Sequence, residues 1–164
     1  MLSAALLLTG CASRTNEKQE TELSSENCAI KLPKGWQDAQ GGLNQNAVLE
    51  AADMDKKQYF IVIEEPKGET PVTLSDYMKL IQINVAENLD KIQMSAPEQT
   101  QIGGMDALQI KTSGTLSGTE VEYSIFVVDG GELFYQLVGW TQAGKTEDAA
   151  AVFSEIAASF QKTD

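Results

Sequence analysis

The sequence predicts an α+β domain, an antiparallel sheet with helices packed on its faces, and three observations predict it. Two stretches repeat apolar residues at three- and four-residue spacing, the period of an amphipathic helix. Around them lie short runs rich in β-branched and aromatic residues, several joined by Gly-Gly turns. One run, Tyr59-Phe60-Ile61-Val62-Ile63, is apolar without alternation, which suits a strand covered on both faces.

Taken in order, residues 29–32 and 47–52 are short strand candidates, and 59–63 is the expected central strand. A helix is expected over residues 73–89. Thr73-Leu74-Ser75-Asp76 resembles a capping box with Asp in place of Glu. Leu74, Tyr77, Met78, Ile81, Val85 and Leu89 then form its apolar stripe. Gly103-Gly104 turns strand 99–102 into strand 105–111, while Pro97 marks an edge or irregular segment because it lacks a backbone donor. Residues 121–128 and 133–140 form a hairpin through Asp129-Gly130-Gly131. The closing helix is expected to start at Thr146, with Glu147 and Asp148 at the positive end of its dipole. Its stripe is Ala149, Val152, Phe153, Ile156, Ala157 and Phe160. Strand runs joined by hairpins imply an antiparallel sheet, and the two stripes supply a cover for each face. The core is therefore expected to centre on residues 59–63, clamped by the two helices.

Several of these residues resemble a known family. Ile30-Lys31-Leu32-Pro33-Lys34-Gly35-Trp36 is similar to the strand and Leu-Pro-x-Gly-Trp opening of PsbP-like domains (the Mog/PsbP type, with DcrB-like lipoproteins among the bacterial relatives). The strand at 59–63, the helix after Thr73, the hairpin at Gly130 and the closing helix with Ser159-Phe160 follow that layout over nearly all of residues 28–164. The resemblance implies an α/β/α sandwich. It implies an accessory or partner-binding module rather than an enzyme, and it transfers no binding residue to this chain. Members of the fold differ in what they bind, so fold alone does not decide function.

The N-terminus carries a location signal. Residues 1–10 hold no charge, and Leu2 to Leu8 form an apolar stretch of ~12 Å as a helix, too short for a bilayer core of about 30 Å. The length suits the apolar region of a signal peptide. Leu8-Thr9-Gly10-Cys11 then matches the lipobox of bacterial lipoproteins. The thiol of Cys11 is the expected lipidation site, because diacylglycerol is attached to sulfur before the cut after Gly10. A signal peptide usually opens with Lys or Arg, and none precedes Leu2, so Met1 is read as internal to a longer leader. Two or three acyl chains, at ~0.8 kcal/mol per buried CH₂, make a durable membrane anchor. Residues 12–27 contain one large apolar residue, Leu23, and read as a flexible tether. The expected organisation is thus a leader over 1–10, the lipidated Cys11 and tether over 11–27, and one domain over 28–164.

Composition excludes several functions. Twenty-four acidic residues against twelve basic ones give a net charge of −12, with no basic run beyond Lys56-Lys57, so nucleic acid is not an expected partner. The chain has no histidine, which removes the usual Ser-His and Cys-His mechanisms and the commonest zinc ligand. No catalytic residue, cofactor or metal ligand is assigned. Cys28 opens an apolar stretch and is read as a buried, inert thiol. Asp53-Met54-Asp55 resembles the start of a calcium loop but lacks its Gly and distal Glu, and is read as a turn. Glu64-Glu65 precedes Pro66 and can bring a carboxylate to a cleft; Glu120 and Glu122 share a solvated strand face. Trp36 is expected to bury against the sheet, and Trp140 to pack in the core rather than line a pocket.

The function expected from these readings is that of an extracytoplasmic, lipid-anchored module of the cell envelope. It acts without catalysis, through a protein partner. The rivals are a hydrolase or transferase using paired carboxylates, and a small-ligand-binding lipoprotein.

Overall fold

A computed structural model describes residues 20–68, 72–144 and 148–163. Residues 1–10, Cys11 and residues 12–19 of the expected tether lie outside the described residues. The strands are β1 (Thr21–Ser24), β2 (Cys28–Leu32), β3 (Gln37–Asp38), β4 (Ala47–Asp53) and β5 (Gln58–Pro66). After helix α1 (Leu74–Asn88) come β6 (Asp90–Met94), β7 (Glu98–Ile102), β8 (Met105–Leu116), β9 (Thr119–Asp129) and β10 (Leu133–Gln142). Helix α2 (Ala149–Ala158) and β11 (Gln161–Lys162) follow. The fold is α+β and wholly antiparallel, as expected.

The strands form two sheets rather than one. The large sheet runs β3-β4-β5-β10-β9-β8-β6, with β7 also paired to β8, and a small sheet runs β1-β2-β11. β7 pairs with the first half of β8 and β6 with the second, so this edge is built from two pieces. The break falls at Ser95-Ala96-Pro97, where Pro97 has no N–H for the ladder.

Period-two alternation divides the large sheet into two faces. Phe60, Val62, Phe126, Val128, Tyr135 and Leu137 enter one apolar cluster with the buried residues of α2 and of β2. Ile110, Ile125, Val127 and Phe134 point the other way and meet Tyr77 and Met78 of α1. Each helix thus covers its own face, and the small sheet lies beside α2. The α1 start is as expected: the Thr73 side chain accepts from the Asp76 backbone N–H at 3.1 Å. The α2 helix begins later than expected, at Ala149 after Asp148, which makes no side-chain capping bond; residues 145–147 lie outside the described residues. Phe160, expected on the α2 stripe, is fully buried just beyond the helix end.

Two expectations need correcting. The segment read as a flexible tether over 12–27 carries β1, which pairs with β2 from Thr21 to Ser24, and Leu23 packs against the α2-side core. One inward apolar residue and an available strand edge suffice to order it. The strand at 59–63 is not the centre of the sheet. β10 is central, and β9 beside it carries contacts from both helices, whereas α1 packs over β8, β9 and β6. Phe60 and Val62 do face α2, but Tyr59, Ile61 and Ile63 look onto a face that α1 leaves partly open.

The Pro-x-Gly-Trp segment explains itself in this setting. Gly35 adopts φ +97°, which disfavours any side chain, and the Trp36 N–H closes a turn on the Pro33 carbonyl at 3.2 Å. That turn lays Trp36 edge-on against Phe153, ring centroids 6.3 Å apart. Trp36 is buried, as expected.

Candidate functional site

Because α1 crosses the sheet over β8 and β9, a groove of about 600 Å³ remains on that face above β5 and β10. Its floor is Ile63, Gln136, Val138, Ile125 and Tyr123; one wall is α1, from Tyr77 to Leu89. The opposite wall is the loop before β4, through Asn44 and Asn46. Glu50 holds that loop. Its buried carboxylate accepts from the backbone N–H groups of Leu43 at 3.1 Å and Asn44 at 2.6 Å, a cap provided by a side chain on the sheet.

One end of the groove is polar. The Tyr77 hydroxyl donates to Glu65 at 2.5 Å, and the Gln136 amide donates to Tyr77 at 2.6 Å and to Glu65 at 3.3 Å. Burial, reinforced by the Glu65 bond, pushes the Tyr77 hydroxyl well above the usual tyrosine range, so it stays protonated and donating. The Tyr77 ring stacks on Phe134 at 4.3 Å, and the Lys67 ammonium lies 4.4 Å from the Phe134 centroid while pairing with Asp129. Glu65 does reach a cleft, as its place before Pro66 suggested. Glu64, its neighbour, points to the opposite face and accepts from Asn27 at 3.0 Å.

The remainder is amphipathic. Leu80, Ile81, Val85, Leu116 and Val138 supply apolar surface, with Leu80 56% and Leu116 42% exposed at the rim. Among the described residues, Asn44, Asn46, Asn84, Asn88 and Gln136 bring five amides, and Glu65 is the single charged residue in the lining. Sequence reasoning missed the amides. Their signals were an Asn pair two apart, another four apart on one helix side, and a Gln inside an otherwise apolar strand face. Trp140, expected in the core, is half-buried on the groove side: it stacks on Tyr59 at 5.3 Å and Tyr123 at 6.3 Å.

The other sequence candidates separate. Cys28 is fully buried on the α2 side, 3.3 Å from Ser25 Oγ and 3.8 Å from Glu64 Oε1. Burial, with Glu64 adding to it and the Ser25 bond opposing, pushes its thiol up to about 11, which suits an inert thiol. Asp53 is buried in the β4–β5 turn, accepting from the Lys56 N–H at 3.0 Å. Glu120 and Glu122 are exposed on β9. A second depression of about 370 Å³ on the α2 side includes Lys111, Ser113, Glu122, Ser124 and Thr141. Among the described residues, no three His, Cys, Asp or Glu side chains gather to hold a metal ion, and no helix is long and apolar enough to cross a membrane.

No protein-family model matches the chain, and no curated protein matches it. Solved structures do. LpqN of Mycobacterium tuberculosis, a protein involved in cell envelope biogenesis, superposes with a TM-score of 0.63 at 18% identity, over 89% of this chain and 91% of LpqN. Cyanobacterial PsbP from Synechocystis sp. PCC 6803 also gives 0.63, at 13% identity, over 95% of this chain and 99% of that one. At these identities the likeness is one of fold. The domain carries the PsbP-like α+β fold.

Proposed function

We propose that this chain is a lipid-anchored, non-catalytic accessory module of the cell envelope, held to the membrane through Cys11 on its extracytoplasmic side and acting by binding. The groove beside α1 carries this reading. It is concave, pre-formed by two walls and largely apolar, with a few convergent polar groups, the general character of a binding site. The one carboxylate that lines it among the described residues, Glu65, is already engaged by Tyr77 and Gln136, which supports binding over a paired-carboxylate hydrolase. The likeness to a protein of cell envelope biogenesis supports an envelope setting.

A protein partner meets α1 beside the groove, where Leu80 at the groove rim and Ile83 one turn on are each 56% exposed. A photo-crosslinking residue at Ile83, in cells making the full chain, should trap one envelope protein that the same residue at Glu120 does not. Equal trapping at both positions refutes the partner reading. Anchoring is tested separately: the full chain should fractionate with membranes and show lipid on Cys11 by mass spectrometry. Full membrane retention of a Cys11→Ser variant that is cut from its leader would sink the lipid-anchor reading.

A further inference from the structure

The depression of about 370 Å³ opens beside α2, which packs mainly on β10 and β9. Sheet register builds its floor. Lys111, Ser124 and Gly139 stand in one row across β8, β9 and β10, and Ser113, Glu122 and Thr141 stand in the next. Phe153 covers Gly139 at the end of the first row, and the other five residues line the depression. The first turn of α2, through Ala149 and Ala150, forms a wall. Several polar groups here are unused. Ser124 is 2% exposed, yet its hydroxyl makes no hydrogen bond among the described residues. Trp36 Nε1 and the Tyr135 hydroxyl are also buried without partners, but they are sealed in the core, whereas Ser124 borders an open space. Buried polar groups are normally bonded, so this hydroxyl is what marks the space as a site. Lys111 and Glu122 hold opposite charges at diagonal positions of neighbouring strands, about 7–8 Å apart at the backbone. Among the described residues, neither side chain enters an ion pair or a hydrogen bond. Asp148, at the α2 N-cap, makes no side-chain bond to the helix it precedes.

We infer that this depression binds a small apolar α-amino acid as its zwitterion, the carboxylate between Lys111 and the first turn of α2 and the ammonium on Glu122. A carboxylate there gains from the Lys111 ammonium and from the positive end of the helix dipole. It also accepts from the Ser124 hydroxyl, which then has the partner that the domain itself does not supply. An anion alone would face Glu122 without a counter-charge, on a chain that already carries −12. A cation alone would meet Lys111 and the helix N-terminus. An amino acid holds both charges on neighbouring carbons and has no net charge, so it bridges two side chains that do not bridge each other. The rest of the wall, Phe153 with Ala149 and Ala150, is apolar and suits an aliphatic side chain. The volume lies toward the small end of ordinary ligand sites, about 300–1,000 Å³, and suits a single amino acid rather than a polymer.

This site lies on the sheet face opposite the groove beside α1, so its failure leaves the groove and the partner at Ile83 untouched. Purified full chain in a neutral detergent is titrated with L-leucine and with D-leucine by calorimetry, and amide NMR shifts are read in parallel. Two controls each lack one charge: 4-methylpentanoate has no ammonium, and 3-methylbutylamine has no carboxylate. At least one leucine enantiomer should bind saturably and move the amide signals of Lys111, Ser124 and Ala150. Each control should bind about tenfold more weakly or worse, since each forfeits a charge-assisted bond. Lys111→Met and Glu122→Gln should each weaken leucine binding by about the same factor. Ser124→Ala should weaken it while leaving the urea midpoint unchanged, because the hydroxyl it removes is unbonded in the fold. Absence of saturable binding by both enantiomers overturns the inference. So does 4-methylpentanoate binding as tightly as leucine, which would mark an anion site, or unchanged affinity in Lys111→Met and Glu122→Gln.

Discussion

The docking of α2 onto the sheet depends on one close approach, and substitution on both sides of it is the sharpest test of the fold. A Cβ built on Gly139 falls 2.4 Å from Phe153 Cγ, 2.6 Å from its Cδ1 and 2.9 Å from its Cβ. The ring of Phe153 therefore sits directly over a position that only glycine leaves open. Gly139→Ala should push α2 off the sheet at a cost of ~1–3 kcal/mol, partly offset by alanine's lower strand entropy. Phe153→Ala removes a ring that is 2% exposed and meets Trp36 and Phe60, and should cost ~3–5 kcal/mol through lost burial and an unfilled cavity. In the double variant the ring contacts are gone and only the Cβ contact remains, while the new methyl occupies part of the vacated space. Its cost should fall short of the sum of the two single costs by ~1–3 kcal/mol. Urea unfolding followed by far-ultraviolet circular dichroism measures all four proteins. With a slope of ~2 kcal/mol per molar, Phe153→Ala should lower the midpoint by roughly 2 M. Strict additivity of the two substitutions, or near-native stability of Phe153→Ala, would show that Phe153 is not seated over Gly139.

Other predictions follow from single residues. The Cys28 thiol is raised from 9.0 to about 11 in the folded protein, so between those values the unfolded chain loses its proton while the folded one keeps it. Stability is therefore unaffected below pH 9 and falls by roughly 2–3 kcal/mol as the pH rises to about 11. Urea midpoints across that range should show this loss relative to Cys28→Ala, and parallel pH profiles for the two proteins would refute it. Removing the carboxylate by Glu50→Ala should cost ~1–3 kcal/mol and deprotect the Leu43 and Asn44 amides in hydrogen exchange, with β5 unaffected; unchanged protection would mean the loop is held by something else. Glu120→Ala, on an exposed strand position, should change stability by less than about 0.5 kcal/mol.

Much of the architecture was legible from local pattern, because local pattern reflects what each residue does in its own element. Thr73 and the stripe after it located α1 because a cap and a 3.6-residue period are properties of nearby residues. The Gly103-Gly104 and Gly130-Gly131 turns likewise placed two hairpins. Period-two alternation put Phe134, Gln136, Val138 and Trp140 on one face before any partner was known.

What the sequence by itself determined, then, was the class of the domain, most of its elements and many of its buried apolar residues. Tertiary structure decided which strands meet and where the helices lie. Residues 59–63 look like a central strand, yet β10 holds that place, since strand order depends on pairing between distant segments that hydrophobicity does not encode. Leu23 gave little reason to expect a strand until β2 offered an edge. The groove exists because α1 lies mainly over β8 and β9 and leaves β5 and part of β10 open, with Glu65, Tyr77 and Gln136 within hydrogen-bond distance at one end although 71 residues of chain separate Glu65 from Gln136. Tyr59, Trp140 and Tyr123 form a row for the same reason: sheet register, a property of the assembled fold, sets three residues far apart in sequence side by side.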